Sequence, residues 1–193
     1  MTHTLRSALL LWALMTVLLG FIYPMSVSLG GWLLFPEKAK GSLLKVKEKP
    51  VGSSLIGQNF TKDIYFWGRP SATSPFHFNA QASGASHFNI ASPKLTERIK
   101  VQLKEIKKHV PENLPIPIDL VTTSASGLDP HISPEAARIQ ISRVAKARHM
   151  DKKILQKLVS DMIELPTFSI LGQARINVLK LNLELNNIDR KNL

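Results

Sequence analysis

The 193-residue chain carries 25 Lys and Arg against 14 Asp and Glu, a net charge of +11 with a pI near 10.0, and it contains no cysteine. Disulfides are therefore excluded in any compartment, and the length leaves room for one domain beyond any membrane segment. The basic excess raises nucleic acid as a partner, yet no RNP, zinc-finger or helix-turn-helix pattern accompanies it, so anionic lipid, an acidic protein face or a plain solvated surface is the expected use.

The first predicted element is an apolar run from Ala8 to Tyr23, inside a span from Ser7 to Pro36 that has no charged residue. Those 30 or so residues exceed the roughly 20 that a helix needs to cross a bilayer. Trp12 and Trp32 sit near the ends as interfacial anchors, and the run has no polar stripe of the kind a soluble helix shows to water. A cleaved signal peptide would need a small-residue site, and Ser26-Val27-Ser28 departs from the favoured Ala-x-Ala. Pro24 is expected to end or kink the helix and Gly30-Gly31 to mark its exit. Arg6 stands alone before the run, whereas Lys38, Lys40, Lys45, Lys47 and Lys49 follow it; counting these charges places the large domain in the cytoplasm. A short tail ahead of one apolar run is equally the form of an uncleaved signal anchor, which places it outside.

Residues 1–36 thus read as tail and anchor, and residues 37–193 as a single mixed α+β soluble domain. Two short strands are predicted at Ser42–Val46 and Ser54–Ile56, broken by Pro50 and Gly52. Gly52 and Gly57 have P-loop spacing, but Gln58 and Asn59 stand where Lys and Ser or Thr are required. Tyr65–Asn89, dense in aromatic, Gly, Ser and Pro residues, reads as a long functional loop. A basic amphipathic helix follows over Pro93–Val110, with Leu95, Ile99, Leu103, Ile106 and Val110 on its core face. Pro111, Pro115 and Pro117 force an extended connection into a predicted strand, Ile118–Thr122. After the polar loop Thr123–Ser133, Ser133 caps a helix with Pro134 in its first position and Glu135 in its first turn. That helix buries Ala137, Ile141, Val144 and Ala145 and leaves Gln140, Arg143 and Arg148 for other work. Asp151 caps another helix that carries Ile154, Leu155, Leu158, Val159 and Met162 and stops at Pro166. Leu179–Leu185 alternates as a strand would, with a C-terminal helix as the competing reading.

Ser126, Asp129 and His131 are the residue types of a hydrolase triad, but one short loop cannot set His between the other two, and no Gly-x-Ser-x-Gly elbow is present. The histidines show no metal-binding spacing. The loop is better suited to recognition: Ser124, Ser126 and the backbone around Gly127 lead to a helix N-terminus and could meet an anion or a partner's polar group. The simpler reading, favoured because such turns are common, is a turn in which Gly127 is left-handed and Asp129 caps locally. No aspartyl-phosphate or Walker motif occurs, so ATP hydrolysis by this chain alone is not expected.

Several long stretches follow one another along the chain: GSLL at Gly41, VGSSLIGQNF at Val51, YFWGRPSA at Tyr65, QASGAS at Gln81, DLVTTSASGLDPHIS at Asp119, QISRVAKAR at Gln140 and LGQARINVLKLNL at Leu171. In this order they resemble the KdpC family, the C subunits of bacterial Kdp-type potassium-transporting ATPases. The chain departs from the family pattern at His87 (usually Asn), Ala174 (usually Pro) and Ile176 (usually Val). The resemblance implies a single-pass accessory subunit of the bacterial inner membrane, joined to a channel-like potassium-binding subunit and a P-type ATPase subunit. It implies a role in assembly or stability and, as a catalytic chaperone, in raising the ATP affinity of the ATPase subunit. ATP would then be shared with that subunit, with Gln140 as the contact and Ser124, Ser126 and Gly127 as helpers, and with no metal of the chain's own. It also implies a domain outside the cytoplasm, where ATP could not reach it. The alternative from another class is a membrane-tethered module for anionic lipid or nucleic acid.

Overall fold

Residues 2–110 and 114–191 are described by the structure, a computed structural model. They form two compact units, Met1–Ser53 and Ser54–Leu193.

The first unit is built on one continuous helix, residues 2–34, of which His3–Leu34, 32 residues and predominantly apolar, is long enough to cross a membrane. It comprises α1 (Thr2–Val17), a π-helical turn (Leu18–Ile22) and α2 (Tyr23–Leu34). Pro24 neither ends it nor leaves a gap. Proline has no N–H to offer the carbonyl four residues back, and the widened turn just before it, where Tyr23 N–H reaches Leu18 O, absorbs the mismatch. The hydroxyls of Thr16 and Ser26 donate to Trp12 O and Ile22 O at 2.8 and 2.7 Å, so neither needs water. Gly30-Gly31 does not mark the exit. The helix stops at Phe35, which Pro36 forces out of the helical region, and a short turn, α3 (Pro36–Ala39), follows.

β1 (Leu43–Val46) lies where a strand is expected, but its partner β2 is Lys49–Ser53, earlier than predicted and containing Pro50 and Gly52. The hairpin turn is Lys47-Glu48, both at positive φ, without the usual Asn-Gly signal. Pro50 is tolerated because a two-stranded sheet has only edges.

In the second unit, α4 (Pro93–Lys107), α5 (Pro134–Arg148), α6 (Lys152–Asp161) and α7 (Val178–Lys191) surround a core that includes Phe66, Ile106, Val144, Leu155, Val159, Leu181 and Leu185. The only sheet here among the described residues pairs β3 (His131–Ile132) with β4 (Ile176–Asn177), antiparallel. Both predicted caps form: Ser133 Oγ accepts from Ala136 N–H at 3.1 Å and Asp151 from Lys153 N–H at 2.9 Å.

Two predicted strands are helical instead. Ile118–Leu120 forms a 3₁₀ turn in which Val121 N–H bonds to Ile118 O. There the Asp119 carboxylate accepts from Ser133 N–H at 2.6 Å, so the segment serves to brace the start of α5 rather than to pair in a sheet. Leu179–Leu185 belongs to α7: Val178, Leu181, Asn182 and Leu185 are buried with helical spacing, and Leu181 and Leu185 satisfy periods of both 2 and 3.6. Of the predicted proline connection, Pro111 lies outside the described residues.

Candidate functional site

No helix or strand of the second unit precedes α4, yet Asp63–Trp67 is held as firmly as a strand. Side chains take the place of neighbouring backbone. Asn182 of α7 accepts from Phe66 N–H at 2.8 Å and donates to Phe66 O at 2.9 Å, as a paired residue in a sheet would. Gln140 of α5 does the same for Trp67, accepting from its N–H at 2.8 Å and donating to its carbonyl at 3.2 Å. Arg143 donates to Asp63 O and Tyr65 O at 2.7 and 3.0 Å, and Arg148 donates to Ile64 O at 2.6 Å and pairs with Asp189. One buried polar row on α5 and α7 thus satisfies an irregular segment that has no sheet to join.

Beside this row lies a cavity of about 750 Å³ between residues 58–71 and α4. Trp67, Lys62, Arg69, Arg98, His109, Gln140 and Arg143 line it, with Asp63 and Glu105 as its carboxylates. The Arg143 guanidinium stacks 3.7 Å over the Trp67 ring, and His109 meets that ring edge-on at 5.1 Å. Burial lowers the Arg143 pKa from its ordinary value to about 10, partly offset by Asp63, and leaves the group cationic near neutrality. Lys108 holds the Glu105 carboxyl below its usual range, first by a hydrogen bond and then by its charge. The volume is that of a small-molecule pocket, and the lining has a net positive character.

The structure does not bring the four sequence-predicted contacts together. Gln140 lines the cavity, but its amide is occupied: Oε1 accepts from Trp67 N–H and from Arg143 Nη2 at 2.7 Å, and Nε2 donates to Trp67 O and to Ala136 O at 3.0 Å. Ser124, Ser126 and Gly127 are absent from the lining. Ser124 is buried. Ser126 Oγ accepts from Leu128 N–H at 3.1 Å, closing a local turn. Gly127 is left-handed at φ +68, and its carbonyl accepts from Ser71 Oγ at 2.7 Å. A Cβ there would lie 2.7 Å from Gly84 O and from Thr73 Cγ2, so glycine is required by the packing of this loop on the Ser71–Gly84 segment.

The triad-like residues do not form a relay. Asp129 Oδ1 faces His131 Nδ1 at 3.2 Å and Asp129 Oδ2 accepts from Arg69 Nη1 at 3.2 Å, but the Ser126 hydroxyl is engaged in its own turn. Burial acts to raise the Asp129 pKa, and the hydrogen bonds from His131 together with the Arg69 charge outweigh it, leaving the carboxyl below its ordinary value. Lys62, Trp67, Arg98 and His109 were not singled out in the sequence; aromatic density in Tyr65–Asn89 was the nearest signal.

These features define a class: an α+β protein with one N-terminal helix able to cross a membrane, and a second unit that carries a basic cavity and spends its buried polar residues on internal bracing. The sequence model of the KdpC family, described as "K+-transporting ATPase, c chain", matches residues 5–187, and the chain belongs to that family. It is 49% identical over 186 residues to the "Potassium-transporting ATPase KdpC subunit" of Polaromonas naphthalenivorans (strain CJ2), covering 96% of this chain and 95% of that protein. Similar proteins of the same name occur in Dechloromonas aromatica (strain RCB), 47% identical with 98% and 100% covered, and Photorhabdus laumondii subsp. laumondii, 46% identical with 97% of each covered.

Proposed function

We propose that this chain is an accessory, non-catalytic subunit of an ATP-driven potassium uptake pump of the bacterial inner membrane. It is anchored by His3–Leu34 and is needed for assembly or stability with a channel-like potassium-binding subunit and a P-type ATPase subunit. The observation that carries this reading is end-to-end similarity, 95 to 100% of the length of those three relatives, to proteins named as subunits of such an ATPase. The Ser126 hydroxyl is engaged in its own turn, apart from the Asp129–His131 pair, which supports an assembly role over chemistry. The lysines that follow the membrane helix, Lys38 to Lys49, suit anionic lipid headgroups. An affinity-tagged chain extracted in mild detergent recovers both other subunits. Recovery of neither, under conditions where those two remain associated with each other, overturns the reading.

A second reading rests on the basic, Trp-lined cavity, whose size and charge suit a nucleotide. In this reading the domain raises the ATP affinity of the ATPase subunit, ATP being shared between them. Because the Gln140 amide is occupied internally, Lys62 and Arg98 are the groups to test. Lys62→Ala with Arg98→Ala raises the pump's KM for ATP severalfold if the cavity serves ATP and leaves it unchanged otherwise. Sidedness decides between the readings: with no native cysteine, Asn192→Cys labelled by an impermeant maleimide in intact cells places the domain outside and retires the ATP role.

A further inference from the structure

Between α6 and β4 the chain forms a hairpin that has nothing to do with the cavity. Glu164 and Arg175 exchange backbone hydrogen bonds at 2.8 and 3.0 Å, and Thr167 and Leu171 exchange two at 2.9 Å. Phe168 and Ser169 form the turn at φ +55 and +61. These are left-handed positions that glycine or asparagine would occupy with less strain. The base is cross-linked by Glu164, which pairs with Arg175 at 3.3 Å and Lys180 at 2.9 Å. This braced support carries an apolar tip: Leu165, Phe168, Ile170 and Leu171 are 74, 84, 83 and 62% exposed.

We propose that this hairpin is a docking peg that inserts into an apolar groove on another polypeptide subunit of the pump, an inference that rests on the function proposed above. The observations choose among three occupants. The stretch Leu165–Ala174 contains no Lys, Arg, Trp or Tyr, the residues by which a protein segment engages lipid headgroups. A second copy is a poor fit, because each copy would bring a charge of +11 to the contact. A different subunit need not bring that like charge, and the surface available to it extends beyond the tip. The strand descending from the peg supplies Gln173 and Arg175 to a cleft of about 880 Å³ whose other walls include Leu114, Ile116, Ile118 and Ile139. Ile118 is 74% and Leu114 46% exposed, so exposed apolar side chains are present on the cleft as well as on the peg.

The test uses the full chain in its native membrane. A benzoylphenylalanine photo-crosslinker placed at position 168 gives an adduct with a pump subunit, whereas the same group at position 101, an exposed apolar site on α4, does not. F168S combined with I170S lowers recovery of the other subunits roughly tenfold, as loss of an interface anchor does, while V101S leaves it unchanged. Both sites are exposed, so melting by circular dichroism stays at the wild-type value. Adducts at 168 with lipid alone or with a second copy overturn the proposal, as does full recovery with F168S/I170S. A wild-type chain that recovers no subunit removes the proposed function and the peg with it. Wild-type recovery with an unaffected double variant removes the peg alone.

Discussion

Gln140→Ala separates the structural use of this residue from a ligand contact. The amide fills the place of a neighbouring strand for Trp67, and its loss leaves the Trp67 N–H and carbonyl without a partner while Arg143 Nη2 keeps only Tyr65 O. An unsatisfied buried donor costs about 1–3 kcal/mol, and the void left at a site only 3% exposed adds to it. A total of about 3 kcal/mol is expected. For a unit of this size that lowers Tm by about 10 °C. Gln140→Glu keeps the acceptor for Trp67 N–H and Arg143 but loses the donor to Trp67 O, so it falls between Ala and wild type. The measurement is far-UV circular dichroism of the detergent-solubilised chain on heating. Gln140→Ala melting within 2 or 3 °C of wild type refutes the bracing role, taking about 1 kcal/mol as the threshold. If the loss is seen, a change in ATP affinity in the same variant reports a damaged fold and not a lost nucleotide contact.

Gly127→Ala must place a Cβ against Gly84 O and Thr73 Cγ2 at a left-handed φ, so a loss of about 2–3 kcal/mol is expected in the same melting assay. Ser133→Ala removes the cap of α5 and the hydroxyl bonded to Asp119, lowering stability by about 1 kcal/mol. Asp129 and Glu164 both have lowered pKa values in the folded chain; burial opposes this, while hydrogen bonds from His131 to the first and from Lys180 to the second dominate. Their stabilisation is therefore complete above the ordinary carboxylate range and is lost as pH falls through the lowered folded values. Asp129→Asn should melt below wild type at pH 7, with the difference shrinking below about pH 4; a gap independent of pH contradicts the assignment.

The membrane helix, the caps at Ser133 and Asp151 and the core faces of α4, α5 and α6 were legible because each depends on local pattern: an uncharged run, a capping side chain, a 3.6-residue period. The misread elements depend on distant partners. Ile118–Leu120 has strand-like composition, but its conformation follows from Asp119 bracing Ser133. Leu179–Leu185 alternates in sequence, and only packing of Leu181 and Leu185 into the core selects the helix. The β1–β2 turn was hidden because Lys47 and Glu48 are not residues that ordinarily accept positive φ. At the site, the pattern drew attention to Gln140, Arg143 and Arg148 on one helix, but not to what they face. Asp63–Trp67 is about 80 residues away in sequence, and no local rule connects the two.

Dependence of the pump on this accessory subunit is tested most directly by potassium-stimulated ATP hydrolysis in membranes from cells that express the channel-like and ATPase subunits with or without this chain. The stimulated activity is expected to be lost without the chain and to return when it is supplied. Undiminished potassium-stimulated activity in its absence would contradict that dependence.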